Sequence, residues 1–129
     1  MTQRLLLDTH VVLWWFTADK RLARATRSAI LSAACWISAC SIWEIAIKFK
    51  LGKLPVAPAE VISAARMAQF SLLPVTPDHA AAIGDLPDLH SDPFDRLLVA
   101  QARCENLQLL TLDTTLTAYG ANVLAPRQR

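Results

Sequence analysis

The sequence predicts an α/β domain with a central parallel sheet of four to five strands and helices on both faces. Three observations carry this. Leu5-Leu6-Leu7 is apolar without alternation, as in strands covered on both faces. Leu110-Thr111-Leu112-Asp113-Thr114 repeats the design of Leu5-Leu6-Leu7-Asp8-Thr9, an apolar run that ends on a carboxylate. Between them, short apolar runs alternate with helix-length amphipathic segments, the pattern of βαβ units. At 129 residues the chain reads as one domain, 1–129, long enough to bury a core.

Taken in order, Gln3–Asp8 is the first expected strand, followed by a helix from Val11 to Phe16 that ends near Ala18-Asp19. Adjacent Trp14 and Trp15 cannot share one helical face, so one belongs to the core and the other to a partner surface. Arg21–Ala34 is amphipathic, with Leu22, Ala25, Ala29 and Ile30 on one side. Cys35–Ala39 suits a second strand, and Ser41 opens a helix that Gly52 ends. Beyond a linker at Pro55 and Pro58 come a helix over Ala59–Gln69, a strand over Ser71–Val75 and a helix over Pro77–Leu86. After a loop at Asp88–Ser91, Asp92-Pro93 starts a helix to about Glu105, aspartate as cap and proline in the first turn. Leu107–Leu112 is the fourth strand and Asn122–Leu124 a small fifth.

Hydrophobic residues make up 53% of the chain and mean hydropathy is +0.30, above the roughly 45–50% of ordinary soluble domains. That excess predicts a protein interface. The longest uncharged stretch, Ser28–Trp43, has 16 residues, short of the roughly 20 that span a bilayer. With no basic segment leading into an apolar run and cleavage site, a cytoplasmic protein with no membrane contact is expected. Cys35, Cys40 and Cys104 lack C-x-x-C spacing and are read as buried free thiols. Seven of the thirteen Lys and Arg residues fall between Lys20 and Lys53, and five of the eleven acids between Asp78 and Asp95. A basic side and an acidic pocket suit a polyanionic substrate held through a metal, although solvated helix faces give the same pattern.

Four carboxylates stand out. Asp8 follows three leucines, where an unpaired charge is expensive to bury. Asp113 ends the matching strand, or is simply a turn residue. Glu44 stands three residues after Ser41, which also makes a capping box, and four before Lys48, which makes a helical ion pair. Asp95 stands three after the cap Asp92. In a parallel sheet, strand carboxyl ends and the amino ends of the following helices share one rim. Four carboxylates there need a cation, and oxygen donors favour Mg²⁺ or Mn²⁺ over zinc. Thr9 and Thr111 offer hydroxyls to a water or a phosphate oxygen. Arg96 offers its guanidinium to phosphate or to a neighbouring acid. His10, His79 and His90 are not spaced as a zinc set and are read as packing or surface residues. Without a Gly-rich phosphate loop, nucleoside triphosphate chemistry is disfavoured.

Leu-Leu-Leu-Asp8-Thr9-His10, Ser41-Ile-Trp-Glu44-Ile, His90-Ser-Asp92-Pro-Phe-Asp95-Arg-Leu-Leu-Val-Ala-Gln-Ala and Leu-Thr111-Leu-Asp113 together resemble the PIN-domain family, and within it the VapC-like toxins of type II toxin–antitoxin pairs. The resemblance spans essentially the whole chain. It implies a Rossmann-like sheet and a metal-dependent ribonuclease whose acidic quartet is Asp8, Glu44, Asp95 and Asp113. Asp92 precedes the usual position by three and is read as the helix cap, close enough to assist the quartet. The family also implies homodimers, an RNA substrate and a cognate antitoxin with a segment in the groove near the site. Two rivals are a catalytically silent binding module and a DNA nuclease or phosphatase using the same carboxylates.

Overall fold

Leu5, Leu6 and Leu7 are completely buried because their strand has neighbours on both edges and helices on both faces. In a computed structural model that describes residues 2–128, β1 (Arg4–Leu7) pairs in parallel with β2 (Ala34–Ser38) on one side and β4 (Gln108–Leu110) on the other. The edges are β3 (Ser71–Leu73) and β5 (Val123–Leu124), giving a five-stranded parallel sheet in the order β3-β2-β1-β4-β5. The helices are α1 (Thr9–Phe16), α2 (Arg24–Ser32), α3 (Ala39–Lys50), α4 (Pro58–Met67), α5 (Pro77–Ala82) and α6 (Pro93–Glu105).

The pleat of β1 divides the core. Leu5 and Leu7 join Val11, Val12, Ile30, Ile37, Ile45 and Val61 on one face, while Leu6 joins Leu98, Val99, Leu109, Leu116 and Val123 on the other. Each such leucine contributes about 1.5–3 kcal/mol by leaving water. Among the described residues, no helix is long and apolar enough to cross a membrane.

Several boundaries differ from the sequence reading, each for a local reason. Helix α2 begins at Arg24 rather than Arg21, because Asp19 binds both the amide and the guanidinium of Arg21 in a turn. No side chain of its own caps α2. Instead the Ala23 amide donates to Oε1 of Gln128 at 2.7 Å. Strand β3 stops at Leu73 before Pro74, which has no amide to offer a ladder. Helix α5 ends at Ala82 and continues as a 3-10 turn over Ile83–Asp85, and a second 3-10 turn, absent from the sequence reading, covers Thr114–Tyr119. Cys35 and Cys40 are buried, but Cys104 is exposed on α6, which corrects the reading of three buried thiols. Trp14 lies under the Arg21 guanidinium at 4.5 Å and Trp15 against Phe70 at 6.2 Å, both half-buried. The exposed tryptophan is Trp43.

Helix α3 also starts earlier than expected. Its cap is Ser38, whose hydroxyl accepts from the Cys40 amide at 2.9 Å, so Ser41 lies inside the helix and the Ser41/Glu44 capping box does not form. The Ser38 hydroxyl also donates to Oε1 of buried Gln101 at 2.6 Å. The Gln101 amide lies 3.3 Å from Nδ1 of buried His79, whose Nε2 meets Glu105 at 2.8 Å. Ser38→Ala should therefore remove a cap and orphan a buried amide oxygen, destabilising by about 2 kcal/mol in urea unfolding. Burial pushes the Cys35 and Cys40 thiols up to about 11 and about 12. A thiol reagent at pH 8 should thus label Cys104 alone until the chain is unfolded.

Candidate metal centre

From β1 the chain steps outward through β2 to β3, then returns across the sheet to β4 on the other side of β1. The switch point lies between β1 and β4, where open α/β sheets place their ligands. Asp8 leaves β1 there, its amide donating to the Leu110 carbonyl at 3.0 Å. Asp8 caps α1: Oδ1 accepts from the Val11 amide at 2.9 Å and Oδ2 accepts from the Thr111 hydroxyl. The Thr111 hydroxyl in turn accepts from the Asp113 amide at 3.0 Å, so one buried threonine ties both strand-end aspartates together. Burial raises the Asp8 carboxyl, opposed by the Thr111 and Val11 hydrogen bonds and by the charge of His10.

Glu44 arrives from α3. Buried Thr9 donates to its Oε1 at 2.6 Å and lies 3.0 Å from the Ser41 hydroxyl. Lys48 meets Oε2 at 2.8 Å. Helix α6 brings Asp95, its start fixed by Asp92, whose Oδ1 accepts from the amides of Phe94 and Asp95 at 2.8 and 3.2 Å. Burial first, then the like charges of Asp92, Asp8 and Glu44, push the Asp95 carboxyl up to about 7, with partial relief from His90. Asp113 is the most open of the four; the Thr115 hydroxyl and amide hold Oδ1 at 2.6 and 2.9 Å and keep its carboxyl low.

Asp8, Glu44 and Asp95 therefore share one electrostatic pocket, and Thr111 links Asp113 to it. The tightest set is different. Among the described residues, His90, Asp95 and Asp113 each place a ligand atom within 4.8 Å of the others, a set to which Asp8 and Glu44 do not belong. Sequence reasoning assigned His90 to packing or surface. Its signal was position: it stands two residues before the cap of the helix that delivers Asp95. The threonine hydroxyls face carboxylates inside the protein rather than open space. Arg96 is committed to carbonyls, at 3.1 Å from Pro87, 3.4 Å from Ile83 and 3.5 Å from His90, and to the Tyr119 hydroxyl at 3.1 Å. It clamps the loop carrying His90.

A parallel α/β sheet with carboxylates gathered at its switch point defines a class of acidic-rim α/β domains. Residues 5–122 match the PIN domain family, and the chain belongs to that family. It is 31% identical over 117 residues to Ribonuclease VapC22 of Mycobacterium tuberculosis, covering 88% of this chain and 90% of that protein. Its fold is similar to a toxin–antitoxin complex from Klebsiella pneumoniae, with TM-score 0.69, 19% identity, and coverage of 97% of this chain and 99% of that one. It is also similar to VapBC2 from Rickettsia felis, solved on a DNA fragment from its promoter, with TM-score 0.67, 14% identity, and coverage of 93% and 95%.

The raised Asp95 carboxyl fixes a pH dependence. Its folded value of about 7 lies above the ordinary carboxyl value of 3.8, so the folded metal-free chain binds this proton more tightly than the unfolded chain does. The resulting stability is full below about pH 4 and is lost as pH rises through about 7. Thermal melts in chelator should show the midpoint falling across that window. Asp95→Asn should flatten the fall and raise the midpoint at pH 8 by about 3–6 °C, what roughly 1 kcal/mol is worth at this size.

Proposed function

We propose that this chain is a divalent-metal-dependent endoribonuclease that acts in the cytoplasm as the toxin of a toxin–antitoxin pair. The carrying observation is the gathering of acids at the switch point: Thr111 is bonded to both Asp8 and Asp113, Asp113 and Asp95 place ligand atoms within 4.8 Å of one another with His90, and burial and this crowding raise the Asp95 carboxyl. Such a cluster is costly without a cation and well suited to one. The similarity to Ribonuclease VapC22 supports RNA as substrate, and the similarity to toxin–antitoxin complexes supports an antitoxin partner.

Asp8, Asp95, Asp113 and Glu44 would hold Mg²⁺ or Mn²⁺, all through oxygen. Bound there, such an ion would supply an acidified water and charge shielding for a phosphodiester. The chain's own residues prepare that site. Thr111 and the Val11 amide fix both oxygens of Asp8, and Thr9 with Lys48 fixes both oxygens of Glu44. The basic stretch from Lys20 to Lys53 supplies fewer open charges than its count suggests. Arg21 pairs with Asp19, Arg27 binds the Asp19 and Leu22 carbonyls, and Lys48 pairs with Glu44. Exposed Lys20, Arg24, Lys50 and Lys53 remain to guide an RNA backbone. Exposed Trp43, Phe49, Leu51 and Met67 give the excess apolar surface its place, and a homodimer or the antitoxin would cover it.

The test is cleavage of RNA, DNA and small phosphate esters by the purified chain in Mn²⁺. Only RNA should be cut, and chelator should stop the reaction. Asp8→Asn should lower the rate by about a hundred- to a thousand-fold, the range such site groups are worth, with an unchanged circular dichroism spectrum. Wild-type rates from that variant would refute the proposal. Binding of uncut RNA by Asp8→Asn should weaken steeply with salt as phosphate counterions are released. Co-purification with the product of the neighbouring small reading frame would identify the antitoxin.

A further inference from the structure

We propose that His90 is a positioning residue of the metal centre: its Nε2–H steers Asp113 toward Asp95 and denies the site a nitrogen ligand. This rests on the metal-centre reading above and concerns the one member of the tight set that is not a carboxylate.

The argument is about which ring nitrogen carries hydrogen. Nδ1 of His90 accepts from the Asp92 backbone amide at 3.2 Å. A nitrogen that accepts has its lone pair in use, so in the neutral ring the hydrogen sits on Nε2. Nε2 faces Oδ2 of Asp113 at 3.1 Å and Oδ2 of Asp95 at 3.9 Å, so the N–H bonds Asp113 and leans on Asp95. To ligate a metal, Nε2 would need its lone pair, and the hydrogen would have to move to Nδ1, against the Asp92 amide. That amide belongs to the residue capping α6. The ring is therefore fixed as a donor by the same turn that delivers Asp95.

Two further features hold the arrangement. Arg96 reaches the His90 carbonyl at 3.5 Å and the Pro87 carbonyl at 3.1 Å, anchoring the loop that carries the ring. Asp113 has Oδ1 occupied by Thr115 and Oδ2 by His90. Of the four acids it is the one on a strand-end loop with 41% of its side chain exposed, so it has the most rotamer freedom to lose. A donor fixed by backbone is the natural means of removing that freedom before a cation arrives. With the nitrogen committed, only oxygen ligands face the pocket, which favours hard cations over zinc.

The experiment measures Mn²⁺ affinity by calorimetry for the wild type, His90→Leu and His90→Gln, together with electron spin-echo spectra of the Mn²⁺-loaded wild type. His90→Leu should bind Mn²⁺ about ten-fold more weakly, the scale on which groups that orient metal ligands act. His90→Gln, whose amide N–H occupies the place of Nε2–H, should recover most of that loss. The wild-type spectrum should lack the nitrogen modulation of a coordinated imidazole. An imidazole modulation, or His90→Leu with wild-type affinity, would overturn the role of His90 while leaving the metal centre standing. A wild-type chain that binds no Mn²⁺ would overturn the metal centre itself, and this assignment with it. The spin-echo result needs no variant, so it decides the question even where a substitution unfolds the loop.

Discussion

The structure depends on one awkward placement, a carboxylate at the end of an all-leucine strand in the middle of the sheet. Asp8 cannot reach bulk water, so its charge has to be met where it stands. It is met by the Val11 amide at the start of α1 and by the Thr111 hydroxyl at the end of β4. These partners come from opposite sides of the switch point. Satisfying Asp8 therefore requires β1 and β4 in register, with Leu7 opposite Leu110, and α1 leaving the sheet at once. The fold and the site share this constraint, because the hydrogen bonds that make Asp8 tolerable also aim it.

The remaining acids are supported unevenly. Lys48 and Thr9 take up both oxygens of Glu44, while Thr115 and His90 take up those of Asp113. Asp95 has no comparable partner, and its carboxyl is pushed up to about 7, while burial raises that of Asp8 in spite of its hydrogen bonds. The field of the cluster reaches α3 as well, where Glu44, Asp95 and Asp92 add to burial in raising the Cys40 thiol. A rim arranged this way keeps unfavourable charge at Asp8 and Asp95 and lowers it at Asp113, the most open of the four.

The parallel sheet, the order of its strands with the helices and the rim carrying Asp8 and Asp113 were legible because each rests on local pattern. Leucine runs ending on aspartate mark strands that stop at a ligand edge, and Asp92-Pro93 marks a helix start by its chemistry. What stayed illegible depends on contacts between distant residues. Whether Ser38 or Ser41 caps α3 turns on Gln101, and nothing near residue 41 reveals that. Arg96 looks free for phosphate until the carbonyls of Pro87, His90 and Ile83 are seen around it. His90 needed its ring orientation, which only the turn at Asp92 supplies. Spacing alone could bring Glu44 to the rim, but its partnership with Thr9 joins residues 35 positions apart.

The bond between Thr111 and Asp8 joins residues 103 positions apart, and the neighbouring ladder between β1 and β4 is equally non-local. During synthesis the central strand emerges early, while the strand that completes its carboxylate edge emerges near the far end of the described chain. Until then the first aspartate has no hydroxyl to hold it and no second aspartate beside it. The rim therefore cannot form from the first part of the chain alone; its charged edge is complete only once residues on both sides of the switch point have folded together.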